Sequence, residues 1–315
     1  MSRSKTGARL LRAPWSACLL LLGLVLGHAE AKVQIVTTLP NLASIASEVG
    51  GEWVEVEAIA AGYQDPHYVQ ARPSYARRLR DADLLIANGL ELESGWLPLL
   101  IDSARNPAVR PGSAGFLDAA SAVPRILEVP GGPVDRSLGD VHPQGNPHLD
   151  LDPRNGVAIA AAISRSLAKI DPGHASVYEA NRAAYARRLG DRIVAWETRA
   201  AGLRGQAFVA FHKEWEYFGD WLGLRLVGYV EDRAGIPPTP RHLLDLVSTM
   251  ERESVGTILL APYNDRKAAE GVAAEAGAEI RVLATQVGAT AQVPRYEDLF
   301  EEALNALVAA APPSH

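Results

Sequence analysis

Apolar and polar positions along this chain fall into short runs with a period of two, each followed by a longer run at helical spacing. Residues 33–38 alternate and are rich in β-branched side chains, which predicts a strand. A helix over 42–49 follows and stops at Gly50 and Gly51. A second strand over 54–60 runs into a turn-forming loop, Gly62 to His67. A basic helix over 73–81 and a strand over 82–89, leaving on Gly89, complete the first part. Such strand–helix alternation predicts a parallel sheet with helices on both faces.

Both periods fade between residues 105 and 147, where Pro and Gly recur. The reading there is a long loop with a short strand over 125–129; long loops within compact domains are commonly functional. A helix over 155–170 comes next. Asp171 and Pro172 then open the longest helix, Asp as N-cap and Pro at the first helical position. Tyr178, Tyr185, Leu189, Ile193, Trp196, Ala200 and Leu203 form one apolar stripe on it. At 1.5 Å per residue it reaches roughly 45 Å, enough to join two lobes. A second β-α run follows, with strands over 207–211, 224–230, 257–261 and 280–284. Its helices fall over 214–222, 240–253, 265–276 and 297–310. The predicted fold class is therefore α/β. Two β-α lobes with mainly parallel sheets, 32–170 and 204–315, are joined by a linking helix over 171–203.

The first 31 residues read as a cleaved signal peptide. Arg3, Lys5, Arg9 and Arg12 precede an apolar stretch over 17–26, and Ala29-Glu30-Ala31 is a small-x-small cleavage site. The apolar stretch falls short of the roughly 20 residues a membrane span needs. Cys18, the one cysteine of the chain, lies at the start of that stretch, so lipid attachment is not expected. The mature chain, from about Lys32, then has no thiolate to offer a metal. Export without disulfides suits a bacterial periplasm. The formal charge of −6 over 315 residues argues against a nucleic-acid partner.

Among eight histidines, three sit in similar loops or strand ends. His67 follows Asp65-Pro66, His148 follows Asn146-Pro147, and His212 ends the strand over 207–211. Proline restrains itself and its predecessor, so a ligand on such a turn loses less entropy when it binds. Strand carboxyl ends are where open α/β sheets bind ligands, and three imidazoles make a first shell for zinc. His174, in the first turn of the long helix, reads as solvated, and His242 as a residue near a helix start.

The ordered set Gly62-x-x-Asp65-Pro66-His67, Ala82-Asp83-Leu84 through Asn88-Gly89 to Glu93, Asn146-Pro147-His148 into Asp152-Pro153, Phe211-His212 and Gly235 to Pro240 resembles the zinc/manganese class of periplasmic solute-binding proteins of ABC transporters. The resemblance runs from about Val33 to Leu307. It implies two lobes joined by a rather rigid helix, metal in the cleft between them, and ligands at His67, His148 and His212. It also implies a monomeric binding protein that hands a divalent metal to a membrane permease. Two departures stand out. The loop after the last strand, Leu283 to Gly288, has no carboxylate where the family often has a fourth ligand, and Thr285 stands near that place. The 105–147 region is rich in Pro and Gly rather than His, with only His142. The expected metal is zinc, because neutral imidazoles suit it better than manganese, which favours oxygen donors. The fourth position is left to water, His142, Glu214, Glu216 or Glu231. A zinc hydrolase is the alternative from another class, since three His and a water also make an open catalytic site. It needs a placed base and no His-Glu-x-x-His is present, so the chain reads as a non-enzyme. An adhesin on the same fold is a third reading.

Overall fold

The computed structural model describes residues 31–128, 142–231, 233 and 235–309, together with Met1. The signal-peptide reading and residues 129–141 of the long loop fall outside the described residues. Two four-stranded sheets form among the described residues, both entirely parallel. The first holds β1 (Val33–Thr37), β2 (Val54–Ala58), β3 (Leu84–Ala87) and β4 (Phe116–Asp118), in the order β2-β1-β3-β4. The second holds β5 (Ala207–Ala210), β6 (Arg225–Tyr229), β7 (Thr257–Leu260) and β8 (Glu279–Val282), in the matching order β6-β5-β7-β8. In each sheet the order reverses beside its first strand, which opens a crevice at the carboxyl ends of β1 and β3 and of β5 and β7.

Helices α1 (Pro40–Gly50), α2 (Pro73–Asp81), α3 (Leu97–Ala104) and α4 (Pro153–Ile170) belong to the first lobe. The linking helix α5 (Ala175–Arg199) has 25 residues, about 37 Å at the standard rise. It buries Tyr178, Tyr185, Leu189, Ile193 and Trp196, the stripe its spacing predicts. Helices α6 (Glu216–Leu222), α7 (Pro240–Glu253) and α8 (Arg266–Ala276) flank the second sheet. The last helix, α9 (Tyr296–Val308), follows the second sheet yet packs against α1 and α5. Trp196 of α5, Trp221 of α6 and Phe300 of α9 meet with ring centroids 5.4–6.1 Å apart. One apolar core therefore runs from the first lobe through α5 into the inner face of the second sheet. No helix among the described residues is long and apolar enough to cross a membrane.

Two elements differ from the sequence reading. No strand forms over the described part of 125–129; the fourth strand is β4, three residues paired with β3 from Leu85↔Phe116 to Ala87↔Asp118. Its position is set by that long-range pairing, which leaves no periodic trace in so short a segment. Helix α3 was not foreseen although Leu97, Leu100, Ile101 and Ala104, its buried residues, keep a helical spacing; the segment is only eight residues long and Leu99 breaks the stripe.

The lobes approach closely at Gly62. A Cβ there would lie 2.2 Å from the Val287 carbonyl oxygen and 2.5 Å from the Ala289 nitrogen. Backbone from the second lobe leaves no room for a side chain, so glycine is the residue that lets the His67 loop reach across.

Candidate metal centre

Two of the three histidines are presented by the same local device. Asp65 Oδ1 accepts from the His67 backbone N–H at 2.9 Å, and Asn146 Oδ1 accepts from the His148 backbone N–H at 2.9 Å. Each is an Asx turn closed over a proline, with histidine at the third position. Trp96 pins the first turn by donating from Nε1 to the Pro66 carbonyl at 3.0 Å. The second is gripped from both lobes. Asn88 Nδ2 donates to the Pro147 carbonyl at 2.8 Å, Asn146 Nδ2 donates to the Lys213 carbonyl at 2.8 Å, and Tyr217 Oη donates to the Asn146 carbonyl at 3.1 Å. His212 leaves the carboxyl end of β5, beside the second crevice.

These loops bring His67, His148 and His212 together. One ring nitrogen from each lies within 4.8 Å of the other two, and the ring centroids are 5.2–5.5 Å apart. His67 Nδ1 meets Asp65 Oδ1 at 2.7 Å, and His212 Nδ1 meets Glu231 Oε2 at 2.9 Å. A carboxylate only accepts, so both Nδ1 atoms carry the proton and both Nε2 atoms present lone pairs that can bind a metal. Strand register explains the second pair. Ala210 of β5 aligns with Tyr229 of β6, and two residues further each strand delivers His212 and Glu231 side by side. His148 Nε2 is buried with no hydrogen-bond partner. A buried polar atom without a partner is costly, and a metal ion at the centre of the three rings would satisfy it. The cleft beside the group opens into a cavity of about 260 Å³ bordered by His67, His212, Glu231, Tyr263 and Pro237.

Burial, followed by the neighbouring imidazoles, holds the His148 pKa well below the ordinary histidine value. Burial alone would raise the Asp65 carboxyl, but its bonds and charge interactions with His67 outweigh that and lower it. The first shift keeps His148 neutral, the form that binds metal. Protons compete for the same lone pairs, so metal affinity is expected to fall as pH drops below the ordinary imidazole pKa of about 6.5. Apo stability should move the same way, because below about 6.5 the unfolded chain takes up a proton that folded His148 resists. Zinc titrations between pH 7.5 and 5 test this; a flat affinity would contradict ligation by histidine.

The carboxylates considered for a fourth position do other things. Glu231 orients His212 and accepts from the Gly235 N–H at 2.9 Å. Glu216 accepts from Tyr229 Oη and from Asn146 Nδ2. Glu214 is fully buried, accepts from Tyr263 Oη at 2.7 Å, and is pushed up to about 8 by burial. Thr285 is buried, with its carbonyl bound to Asn41 Nδ2. Among the described residues, the metal-competent group contains the three histidines and no carboxylate. His142, in contrast, stands beside His67. His242 hydrogen-bonds the Tyr229 carbonyl through Nε2 at 2.8 Å and so supports the second lobe. His174 is not simply solvated: it stacks on Trp53 at 3.7 Å and meets Asp171 Oδ2 at 2.7 Å. The sequence reading missed Asp65 and Glu231 as partners of the His67 and His212 rings. Asp65 was visible two residues before His67, whereas Glu231 needs the β5–β6 register to be recognised.

Two parallel α/β lobes, one long linking helix and a histidine group in the cleft define a helix-linked, two-lobed binding protein. A family model described as the periplasmic component A of a zinc-uptake complex, ZnuA, matches residues 35–310, and the chain belongs to that family. It is 29% identical over 229 residues to the high-affinity zinc uptake system protein ZnuA of Paracoccus denitrificans, covering 62% of this chain and 66% of that protein. It is 23% identical over 261 residues to the zinc-binding lipoprotein AdcA of Streptococcus pneumoniae, covering 81% of this chain and 50% of that protein. The matches thus span between half and two-thirds of these relatives' own lengths. The Mn-bound periplasmic metal-binding protein of Candidatus Liberibacter asiaticus has the same fold, with a TM-score of 0.73 and 20% identity, over 89% of this chain and all of that one.

Proposed function

We propose that this protein captures a divalent transition metal, zinc foremost, outside the cytoplasm and delivers it to the membrane permease of an ABC importer. Membership of the ZnuA family supports the class of function. The observation that carries the site is the convergence of His67, His148 and His212, with His148 Nε2 buried and unpartnered at the meeting point. The metal is cargo here. The rings are held by Asp65, Glu231 and the two Asx turns, so little side-chain freedom is lost on binding. Three nitrogen donors without a carboxylate favour zinc over manganese. In this reading residues 1–31 are a signal peptide that is removed, and the mature monomer works in the periplasm without catalysing a reaction. The test is competition on the purified apo protein. One equivalent of zinc should bind and resist displacement by equal manganese; manganese winning would sink the metal assignment. Hydrolysis of ester or phosphoester substrates by the zinc form would favour the hydrolase instead.

A further inference from the structure

His142 lies outside the set of donor atoms that are all within 4.8 Å of one another, yet its ring centroid is 5.3 Å from that of His67. The two Nε2 atoms face each other at 3.2 Å. Their outer nitrogens are both committed. His67 Nδ1 meets the Asp65 carboxylate at 2.7 Å, and His142 Nδ1 meets the Leu90 carbonyl at 3.1 Å. Both partners only accept, so both Nδ1 atoms carry hydrogen, and a neutral imidazole has only one N–H. With both Nδ1 atoms so committed, the Nε2 atoms point at each other at a separation close to that between two nitrogen ligands of one tetrahedral zinc ion.

The Leu90 carbonyl that holds His142 is itself built into an unusual turn. Gly89, Leu90 and Glu91 have φ of 94°, 53° and 64°, a region that side-chain-bearing residues seldom adopt. The turn is tied down from behind by the buried Glu93 carboxylate, which accepts from the Asn88 and Gly89 N–H groups at 2.7 and 3.3 Å. The carbonyl therefore fixes His142 with its Nε2 turned toward the site.

We propose that His142 is the fourth ligand, closing a shell of four imidazoles with no carboxylate in it. This rests on the three-histidine reading above and names what completes it. A small rotation or shift of the His142 ring, carried on His142-Pro143-Gln144-Gly145, brings Nε2 toward the shared centre. Four neutral nitrogens make a tetrahedral zinc site and give manganese none of the oxygen donors it favours. His142 is then the residue that sets the choice of metal.

The test compares the purified protein with His142→Ala, using zinc and manganese alone as probes at pH 8, where a shared proton does not compete. Zinc affinity should fall by at least about 10–100-fold, the range seen when even a supporting contact to a metal ligand is lost. Manganese affinity should stay the same, and zinc K-edge absorption should change from four imidazoles to three with one oxygen. Parent-like zinc affinity and an unchanged imidazole count in His142→Ala would overturn the proposal. So would equal losses for both metals, which would mark a structural role. If the parent fails to bind one zinc, or His212→Ala binds zinc like the parent, the three-histidine reading itself fails, a separate result.

Discussion

His67→Ala, His148→Ala and His212→Ala should each weaken zinc binding by more than the roughly 10–100-fold expected for loss of an outer partner of a metal ligand. Asp65→Ala and Glu231→Ala belong in that milder range, since they remove the carboxylates that orient His67 and His212. His174→Ala and His242→Ala should bind zinc like the parent, because their rings contact Trp53 and Asp171 in one case and the Tyr229 carbonyl in the other. The apo proteins should separate differently. His148→Ala removes a buried ring nitrogen that has no partner, which offsets part of the cost of the cavity the ring leaves in the apo form. It also loses stabilisation by zinc, which for the parent is about 4 kcal/mol at a thousandfold excess of free metal over Kd. Thermal unfolding with and without zinc reads both quantities. A His148→Ala protein that still gains the parent's full shift would remove that residue from the site.

The largest expected effect on folding lies at Asn41. Its Nδ2 donates to Asp150 Oδ2 at 2.7 Å and to the Thr285 carbonyl at 2.9 Å, and its Oδ1 accepts from the Val287 N–H at 2.8 Å. Gln286 Nε2 also donates to Asp150 Oδ2, at 2.9 Å. Asn41, Asp150, Thr285 and Gln286 are all buried. This network ties α1 and the turn before α4 to the segment after β8, and so fastens one lobe to the other close to Gly62. Asn41→Ala takes a partner from a buried carboxylate and orphans two backbone groups. Removal of one partner of a buried ionic group costs about 3–5 kcal/mol, a large share of a typical 5–15 kcal/mol. Burial, only partly offset by bonds from Gln286 and Asn41, raises the Asp150 pKa. The folded state therefore holds a proton to higher pH than the unfolded chain, and this group's contribution to stability declines as pH rises through the raised value. The Asn41→Ala deficit should accordingly be larger at pH 7 than at pH 5. Denaturant midpoints at the two pH values give the answer, and an equal or smaller deficit at pH 7 would contradict the assignment of the damage to the Asp150 charge.

Much of this architecture was legible because its signals are local. The alternating strands β1 and β2, the stripe on α5, the Pro at the start of α2, α4 and α7, and the X-Pro-His turns are all written within a few residues of where they act. His67 and His148 were legible for the same reason: an Asx turn over proline needs three consecutive residues. What was hidden depends on partners far away in sequence. β4 exists through its pairing with β3, Glu231 meets His212 only through the register of β5 and β6, and Asn41 meets Thr285 across 244 residues. The placement of His142 is of the same kind, because the Leu90 carbonyl that fixes it lies 52 residues earlier.

The central claim is that the three histidines of the cleft hold the metal. Anomalous diffraction at the zinc edge from crystals of the zinc-loaded protein tests it most directly. A single dominant peak about 2.0–2.1 Å from Nε2 of His67, His148 and His212 is the expected result. A dominant zinc peak elsewhere, with no density among those three rings, would contradict it.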